Sequence, residues 1–431
     1  MLISTAALAA FSCLVSQVSA APVVADQANS LSSAPGLITT PLYTRHISKE
    51  NRLARRADAN DTVDGAYPIQ LTELVIPAKI GTPAKDYLLI FDTGSSDTWV
   101  GSNDCDGKGG CAGLKLYNPK ESSSYEKNAY EFNAAYGSAI ANGSYFYDTF
   151  TVGGATLKHQ TLAYADRTTG TVAEQDSSQK LRADGLLGAS FRATTAMYDQ
   201  YNKSYDPVPM ALYKAGRIAE PVFSVQIGPI NPDMSAKELS SLTKGNQSLA
   251  GSVTFGGYDA SLVSGDFLYA PIYEEQKELF GEIGAWYIGA ESFGLKSKNG
   301  SSELNLKLPS GRSVPVLVDS GTTMNIFPEY FVDKLLQHWL PSAEKQEDGS
   351  YELKNCHAAS TNKTLTYTFA NGDELRYPID DMLVQLPDDQ CIIAIMGSPD
   401  NQTIIGNVFM SSYVTTFDWG KNRIGFAPVK K

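Results

Sequence analysis

The sequence predicts a mainly all-β protein built as two similar β-rich lobes with a cleft between them. The chain of 431 residues exceeds what one hydrophobic core usually serves. Short apolar or alternating runs separated by Gly, Asn and Ser dominate it, as in Tyr87 to Phe91, Tyr145 to Val152 and Val222 to Ile227. Helical spacing is confined to Pro209 to Ala215 and Glu329 to Trp339. A local pattern that occurs once in each half supports two lobes.

That pattern is an apolar strand followed by an acid, a small hydroxyl residue and a glycine. Asp92 is the acid of the first copy and Asp319 is the acid of the second, 227 residues later. Leu187 of a Leu-Leu-Gly follows Asp92 by 95 residues, and Ile405 of an Ile-Ile-Gly follows Asp319 by 86. The matching order indicates that one ancestral half was duplicated, and one acid per half predicts a paired site.

Two carboxylates in contact cannot both ionise, so they share one proton at acid pH. The ionised acid can then accept a proton from a trapped water while the protonated acid donates toward a carbonyl oxygen. Asp92 and Asp319 are therefore the candidate catalytic residues for peptide hydrolysis without a metal, a cofactor or a covalent intermediate. Gly94 and Gly321 permit tight turns. Hydroxyl groups that can bond the opposite loop or the carboxylates belong to Thr93, Ser95, Ser320 and Thr322.

Further motifs extend the pattern from about Glu73 to Pro428. They are Trp99, Tyr136-Gly137-Ser138, Asp184-Gly185-Leu186-Leu187-Gly188, Gly251 to Gly257 and Ile404-Ile405-Gly406-Asn407. With these motifs the chain resembles the pepsin family of aspartic proteases. Within that family, the local sequence is most similar to a group of secreted, milk-clotting fungal members at four places: Ser95 to Trp99, Ala141 to Gly143, Ala196 to Tyr198 and Asn422 to Pro428. The resemblance implies protein or peptide substrates.

The resemblance also implies a mobile hairpin, the flap, with Tyr136, Gly137 and Ser138 at its tip and Trp99 as hydrogen-bond partner of Tyr136. After Gly137 this chain reads Ser-Ala-Ile-Ala-Asn-Gly, which departs from the family's glycine-rich run. Ile90 and Tyr136 would present an apolar wall, so we expect large hydrophobic residues beside the cut bond. Since no acid replaces Ser138, we expect discrimination against lysine. The expected substrate-binding set is completed by Gly94, Gly321 and Thr322.

The first 56 residues indicate a processed leader. An apolar run from Ala6 to Val15 and the small residues before Ala21 fit a signal peptide over 1–20. We expect a prosegment over 21–56 that ends at the dibasic pair Arg55-Arg56, an N-terminal lobe over 57–228 and a C-terminal lobe over 229–431. These features predict a secreted zymogen, with a vacuolar location as the alternative.

Charge separates the leader from the rest of the chain. Residues 1–56 hold five Lys/Arg and two Asp/Glu, which gives +3, and the remainder holds 30 and 45, which gives −15. A cationic prosegment can cover an anionic cleft as an inhibitor, and acid would weaken that attraction. The acidity disfavours nucleic acid or anionic membrane as partner.

No second apolar run approaches the ~20 residues of a membrane span. We expect a monomer.

The cysteines predict two local disulfides. With Cys13 in the signal peptide, the remaining four can pair in a secreted protein. We expect Cys105–Cys111 and Cys356–Cys391, worth about 2 and 4 kcal/mol in the chain-entropy model. The alternative, metal binding, is disfavoured because the spacing is wrong for zinc and the histidines form no ligand motif. No metal is expected.

Other functions have weaker support. Serine hydrolase, nucleotide-binding and zinc protease motifs are missing from the sequence. A binding protein on the same fold is the alternative, although both acids are retained. Glycosylation sequons begin at Asn60, Asn142, Asn202, Asn246, Asn299, Asn362 and Asn401. We expect some of these sequons to carry glycans and Asn142, just after the flap, to stay unmodified.

Overall fold

The structure is a computed structural model that describes residues 36–46, 72–105, 109–111, 113–137, 139–173, 175, 181–228, 249–307, 313–346, 349–356, 361–369, 371–385 and 391–430. The predicted signal peptide, most of the predicted prosegment with its dibasic pair, and Ser138 lie outside the described residues.

The strands begin and end as follows: β1 Ile38–His46, β2 Thr72–Ile80, β3 Lys85–Asp92, β4 Thr98–Gly101, β5 Glu126–Tyr136, β6 Ala139–Val152, β7 Ala155–Thr168, β8 Gly185–Gly188, β9 Val222–Ile227, β10 Leu249–Phe255, β11 Leu268–Pro271, β12 Tyr287–Lys296, β13 Ser302–Lys307, β14 Val314–Val318, β15 Asn325–Pro328, β16 Glu344–Lys345, β17 Tyr351–Leu353, β18 Thr364–Phe369, β19 Glu374–Pro378, β20 Leu383–Gln385, β21 Cys391–Ile393, β22 Ile395–Ser398, β23 Ile404–Ile405, β24 Tyr413–Asp418 and β25 Arg423–Pro428.

The helices are short. The α-helices are α1 Ala196–Tyr201, α2 Val208–Lys214, α3 Lys277–Phe280, α4 Glu329–Trp339 and α5 Asn407–Met410. Single 3₁₀ turns occur at Pro119–Glu121, Gly170–Val172, Arg192–Thr194, Ala260–Leu262, Glu274–Gln276 and Ile379–Met382. The predicted helix from Glu329 to Trp339 is confirmed at both ends, and the one predicted from Pro209 is confirmed with a shift of one residue. The mainly β architecture is confirmed as well.

Within the described residues the strands form three sheets. The largest has 13 strands in the order β11-β25-β24-β9-β10-β1-β2-β3-β8-β4-β7-β6-β5. The second follows β19-β18-β12-β14-β23-β15-β22 with β13 beside β12, and the third follows β16-β17-β21-β20. Because β24 and β25 pair into the first sheet through β9, strands from both sides of the predicted boundary at 228 share one sheet.

The duplicated sequence pattern corresponds to a duplicated strand arrangement. β3 pairs in parallel with β8, which aligns Phe91 with Leu187. β14 pairs in parallel with β23, which aligns Val318 with Ile405. The Leu-Leu-Gly and Ile-Ile-Gly motifs therefore have the same structural role in the two halves. Each forms the strand that pairs in parallel with the acid-bearing strand.

β1 belongs to the predicted prosegment and lies inside the largest sheet. It pairs antiparallel with β10 on one side, where Thr40 faces Val253, and with β2 on the other, where Thr44 faces Leu74. Its Arg45 is 3 % exposed. A strand from the leader thus completes the backbone hydrogen bonding between two strands, β2 and β10, that lie after the predicted prosegment.

Apolar side chains form two buried clusters. The larger one extends through all three sheets and takes in the apolar face of α4. The smaller one, which we call the hairpin cluster, lies under the β5–β6 hairpin. Its buried members are Val75, Ile90, Trp99, Phe132, Ala141, Tyr145, Ala163, Ala165, Val172, Leu181, Ala183, Leu186, Ala196 and Met197.

Both predicted disulfides are present. Cys105 bonds Cys111, closing a loop with a sequence separation of 6, and Cys356 bonds Cys391 with a separation of 35. Among the helices that the structure describes, none is long and apolar enough to cross a membrane.

Candidate active site

Strands β3 and β14 bring the two acids to one place. β3 ends at Asp92, and β14 ends one residue before Asp319. The N–H of Ala189, just after β8, donates to the carbonyl of Asp92 at 2.8 Å, and the N–H of Asp319 donates to the carbonyl of Ile405 in β23 at 2.9 Å. Backbone hydrogen bonds to the parallel neighbours therefore fix both acids at their strand ends.

The two acid-bearing loops are joined by reciprocal hydrogen bonds. The hydroxyl of Thr93 donates to the carbonyl of Val318 at 2.9 Å and accepts from the N–H of Ser320 at 2.9 Å. In the mirror arrangement, the hydroxyl of Ser320 donates to the carbonyl of Phe91 at 2.8 Å and accepts from the N–H of Thr93 at 3.1 Å. These bonds are buried, so water does not compete with them, and they lock one loop against the other.

A second pair of hydroxyls holds the carboxylates themselves. Ser95 donates to Oδ2 of Asp92 at 2.5 Å, and the N–H of Gly94 donates to Oδ1 at 2.8 Å. Around Asp319 the equivalent donors are the hydroxyl of Thr322, at 2.6 Å, and the N–H of Gly321, at 2.7 Å. The four predicted hydroxyl residues thus divide into two kinds: one per loop bonds the opposite loop, and one per loop bonds its own acid.

Each carboxylate lies against the glycine of the opposite loop. A Cβ atom built on Gly94 would lie 2.6 Å from Oδ1 of Asp319, and one built on Gly321 would lie 2.5 Å from Oδ1 of Asp92. Burial raises the pKa of Asp92 well above its ordinary value, and the charge of Asp319 raises it further, against the donors Ser95 and Gly94. The arrangement favours one proton on the pair.

The β5–β6 hairpin lies next to this pair. Tyr136 ends β5 and accepts a hydrogen bond from Nε1 of Trp99 at 2.9 Å, the partner that the sequence comparison implied. Gly137 is in the turn, where an added Cβ would meet nothing within 4 Å. Ile90 is buried in the hairpin cluster. Burial raises the pKa of Tyr136 well above its ordinary value, with the charges of Asp97 and Asp92 as further causes.

Two buried groups near the site were missed by sequence reasoning. Asp97 is 3 % exposed and accepts three hydrogen bonds, although the sequence marks it only as part of the motif from Ser95 to Trp99. Arg45 of β1 forms a buried ion pair with Glu73 of β2. The only sequence signal for Asp97 was an acid two residues before Trp99, and Arg45 carried no signal beyond the general positive charge of the leader.

Comparison with known proteins agrees with this geometry. Residues 73–429 match the family described as eukaryotic aspartyl protease. The chain belongs to this family, and it is an aspartic-type endopeptidase.

Individual relatives give the same result. Mucorpepsin of Rhizomucor pusillus is 35% identical over 86% of this chain and 83% of its own length. Mucorpepsin of Rhizomucor miehei is 33% identical over 86% of this chain and 82% of its own length. Gastricsin of Homo sapiens is 30% identical over 81% of this chain and 79% of its own length. The fungal likeness read from the sequence motifs is confirmed.

The fold has a solved counterpart. The crystal structure of an aspartic proteinase from Irpex lacteus superposes with a TM-score of 0.64 over 91% of this chain and 98% of that chain, at 20% identity. The predicted two-lobed fold of the family is therefore confirmed.

Proposed function

We propose that this chain is a secreted endopeptidase, made as a zymogen, that cuts peptide bonds between hydrophobic residues at acid pH. The observation that carries the proposal is the facing pair of buried carboxylates, Asp92 and Asp319, on two loops with matching hydrogen bonds. Preorganised acids in a water-poor site can transfer protons without first rearranging solvent.

The proposed reaction uses one proton on the pair. Burial and the neighbouring acid raise the pKa of Asp92, which favours a proton on the pair, and the protonated acid donates toward the carbonyl oxygen of the substrate. The ionised acid accepts a proton from the attacking water. Ser95 and Thr322 each donate to the Oδ2 atom of their own acid, which keeps the two carboxyl groups in place while the proton moves.

The proposed substrate pocket lies between this pair and the hairpin. Tyr136, held by Trp99, would close over the substrate together with Gly137 and Ser138. Ile90 and the hairpin cluster supply apolar surface for a large side chain next to the cut bond. Gly94, Gly321 and Thr322 line the base of the pocket beside the acids. Burial of such a side chain is worth about 1.5 to 3 kcal/mol, enough to select among substrates.

Peptide-library mapping tests this function. At acid pH we expect cuts flanked by large hydrophobic residues. We expect lysine before the cut to be cleaved roughly 10-fold less efficiently, since residue 138 is a serine and not an acid. A statine-type inhibitor should stop cleavage and a metal chelator should not. Dominant cutting after lysine, or inhibition by the chelator alone, would contradict the proposal.

The proposed zymogen state is supported by β1. Nε of Arg45 donates to Glu73 at 2.9 Å, its Nη1 donates to Gln175 at 3.0 Å, and both charged side chains are almost fully buried. This buried ion pair ties the leader strand to β2. Acid neutralises carboxylates of the remaining chain and weakens its attraction for the cationic leader, so the prosegment would act as inhibitor until acid releases it.

Arg45→Met is expected to release the leader more readily. The change leaves Glu73 buried without its partner, a cost of about 3 to 5 kcal/mol. The full-length variant should therefore shorten and become active faster, and at a higher pH, than the unchanged chain. Mass spectrometry of the shortening chain, with activity assays in parallel, measures both rates.

Lys79→Met is the matched control. Its ion pair with Asp86 lies on the neighbouring strands β2 and β3 but is exposed, so it is worth at most about 1 kcal/mol. Equal activation rates for the Arg45→Met and Lys79→Met chains would contradict a role for Arg45 in holding the leader.

Secretion would also bring glycans. Among the described sequons, Asn202, Asn299, Asn362 and Asn401 are exposed, and three of them, Asn202, Asn362 and Asn401, have positive φ. Asn142 is half-buried within β6, between Asn133 and Arg167 of the flanking strands. We therefore propose glycans at the exposed sites and an unmodified Asn142. A monomer without nucleic acid or membrane partners remains part of the proposal.

A further inference from the structure

Asp97 is a buried carboxylate that the proposed reaction does not use. It lies five residues after Asp92, in the segment that leads into β4, and it is 3 % exposed. Taking a carboxyl group out of water costs several kcal/mol unless hydrogen bonds replace the lost solvent. A residue maintained at that cost beside the active site calls for a physical account.

Three donors converge on this carboxyl group. The hydroxyls of Tyr145 and Tyr205 both donate to Oδ1 at 2.7 Å. The backbone N–H of Ala196 donates to Oδ2 at 2.7 Å. The donors come from three separate parts of the chain, so Asp97 is the point at which these parts are joined.

Those parts enclose the hairpin cluster. Tyr145 is on β6, the second strand of the proposed flap hairpin, and Ala196 begins α1, whose Met197 is buried in the cluster. Tyr205 packs edge-on against the ring of Tyr145 at 5.9 Å between centroids. Trp99, the partner of Tyr136, follows Asp97 by two residues. A shift of Asp97 would therefore move the hairpin, α1 and Trp99 relative to one another.

We propose that Asp97 is a positioning residue, which fixes the flap hairpin, α1 and Trp99 in the arrangement that accepts a large hydrophobic substrate side chain. The inference rests on the proposed hydrophobic preference and flap closure. Asp97 does not contact the reacting atoms, and it acts through Trp99, Tyr136 and the wall formed by α1.

The groups that face Asp97 determine which substitutions are informative. Its titratable neighbours are the phenols of Tyr145, Tyr205 and Tyr136, and within the described residues no lysine or arginine is paired with it. An asparagine keeps an oxygen that accepts from Ala196 and adds N–H groups that donate to the phenol oxygens. An alanine removes every acceptor and leaves the three donors buried without it.

The experiment compares kcat/KM for two peptides that differ only in having phenylalanine or alanine before the cut. The Phe:Ala ratio cancels the titration of the dyad, because both peptides use it. For Asp97→Ala we expect this ratio to fall about 10-fold, mainly through KM for the phenylalanine peptide, since small misplacements of positioning groups have large kinetic effects. For Asp97→Asn we expect a ratio within about 3-fold of the unchanged enzyme, as rescue by the conservative residue.

Asp184→Asn is the control. Asp184 is also buried, and it accepts from the backbone N–H groups of Leu88 and Lys115, neither of which belongs to the hairpin. Its variant should change the unfolding midpoint with an unchanged Phe:Ala ratio. If Asp97→Ala behaves like this control, Asp97 has a purely structural role and the proposal is overturned.

A milder variant covers the case in which Asp97→Ala does not fold. Tyr205→Phe keeps the ring and removes one donor, so the ratio should fall in the same direction by about 3-fold. An unchanged ratio in that variant overturns the proposal. The wild-type ratio taken alone tests the hydrophobic preference, whereas the change between variants tests Asp97 whichever residue the enzyme prefers.

Stability against pH gives an independent readout. Burial raises the pKa of Asp97, with the hydrogen bonds from Tyr205, Ala196 and Tyr145 opposing the rise. Its stabilising contribution is thus lost as pH climbs through the raised value, and asparagine does not titrate. The Asp97→Asn chain should unfold at a higher temperature than the unchanged chain near neutral pH, and a lower midpoint there would count against the assignment.

Discussion

Replacing Asp92 or Asp319 by asparagine is expected to lower kcat by roughly 1000-fold or more, because either change removes the proton exchange between the two acids. Asparagine has nearly the shape of aspartate and can still accept from the neighbouring donors. For Asp92 these are Ser95 and Gly94, and for Asp319 they are Thr322 and Gly321. The loops should therefore keep their positions while the chemistry stops.

Thermal unfolding separates lost chemistry from lost structure. At neutral pH the Asp92→Asn chain should be at least as stable as the unchanged chain, since it no longer buries an ionised carboxylate beside another acid. Turnover of a peptide substrate and the unfolding midpoint are measured on the same preparations. A folded Asp92→Asn or Asp319→Asn enzyme with substantial turnover would exclude the two-acid mechanism.

A loss of stability and of activity toward neutral pH is the second large effect that we expect. Burial is the leading cause that raises the pKa of Asp92, Asp97 and Asp184 above the ordinary value of an aspartate. A carboxyl group whose pKa is raised in the folded state stabilises the fold fully below its unfolded pKa of about 4. This contribution disappears as pH rises through the raised values.

Surface ion pairs act in the opposite direction but weakly. Hydrogen bonding to Lys79 lowers the pKa of Asp86, and hydrogen bonding to Lys296 lowers that of Glu374. Their contributions are present above the ordinary pKa and are lost only in stronger acid. Asp86 is exposed and Glu374 is half-buried, so solvent screening keeps the effect of the first small and reduces that of the second. The excess of negative charge, −12 for the whole chain at pH 7, adds self-repulsion on the neutral side.

Activity should follow the proton on the dyad. It should be greatest between the two macroscopic pKa values of the pair and vanish once both carboxylates are ionised. A pH series of peptide-cleavage rates, with unfolding midpoints from the same samples, measures both effects. An activity optimum near pH 8, or a midpoint that rises steadily from acid to neutral pH, would refute this expectation.

The sequence located the acids because their surroundings repeat. Two strand-acid-hydroxyl-glycine patterns with matching downstream motifs were enough to predict the duplicated β architecture and the pairing of Asp92 with Asp319. The bond from Trp99 to Tyr136 was implied by the resemblance to the pepsin family. Local patterns were also enough for α4 and for both disulfides. These features depend on periodicity, on turn chemistry or on short separations along the chain, all of which are readable in one dimension.

The sequence by itself therefore determined the fold class, the two acids and the hydroxyl residues that support them. Only the tertiary structure decided how those hydroxyls divide, with Thr93 and Ser320 crossing between loops while Ser95 and Thr322 bond their own acids. It also decided that β1 enters the main sheet with Arg45 against Glu73, and that Tyr145, Tyr205 and Ala196 meet at Asp97. The physical reason is that a hydrogen bond or a buried ion pair depends on position in space, and the partners that join separate elements lie between 28 and 229 residues apart along the chain.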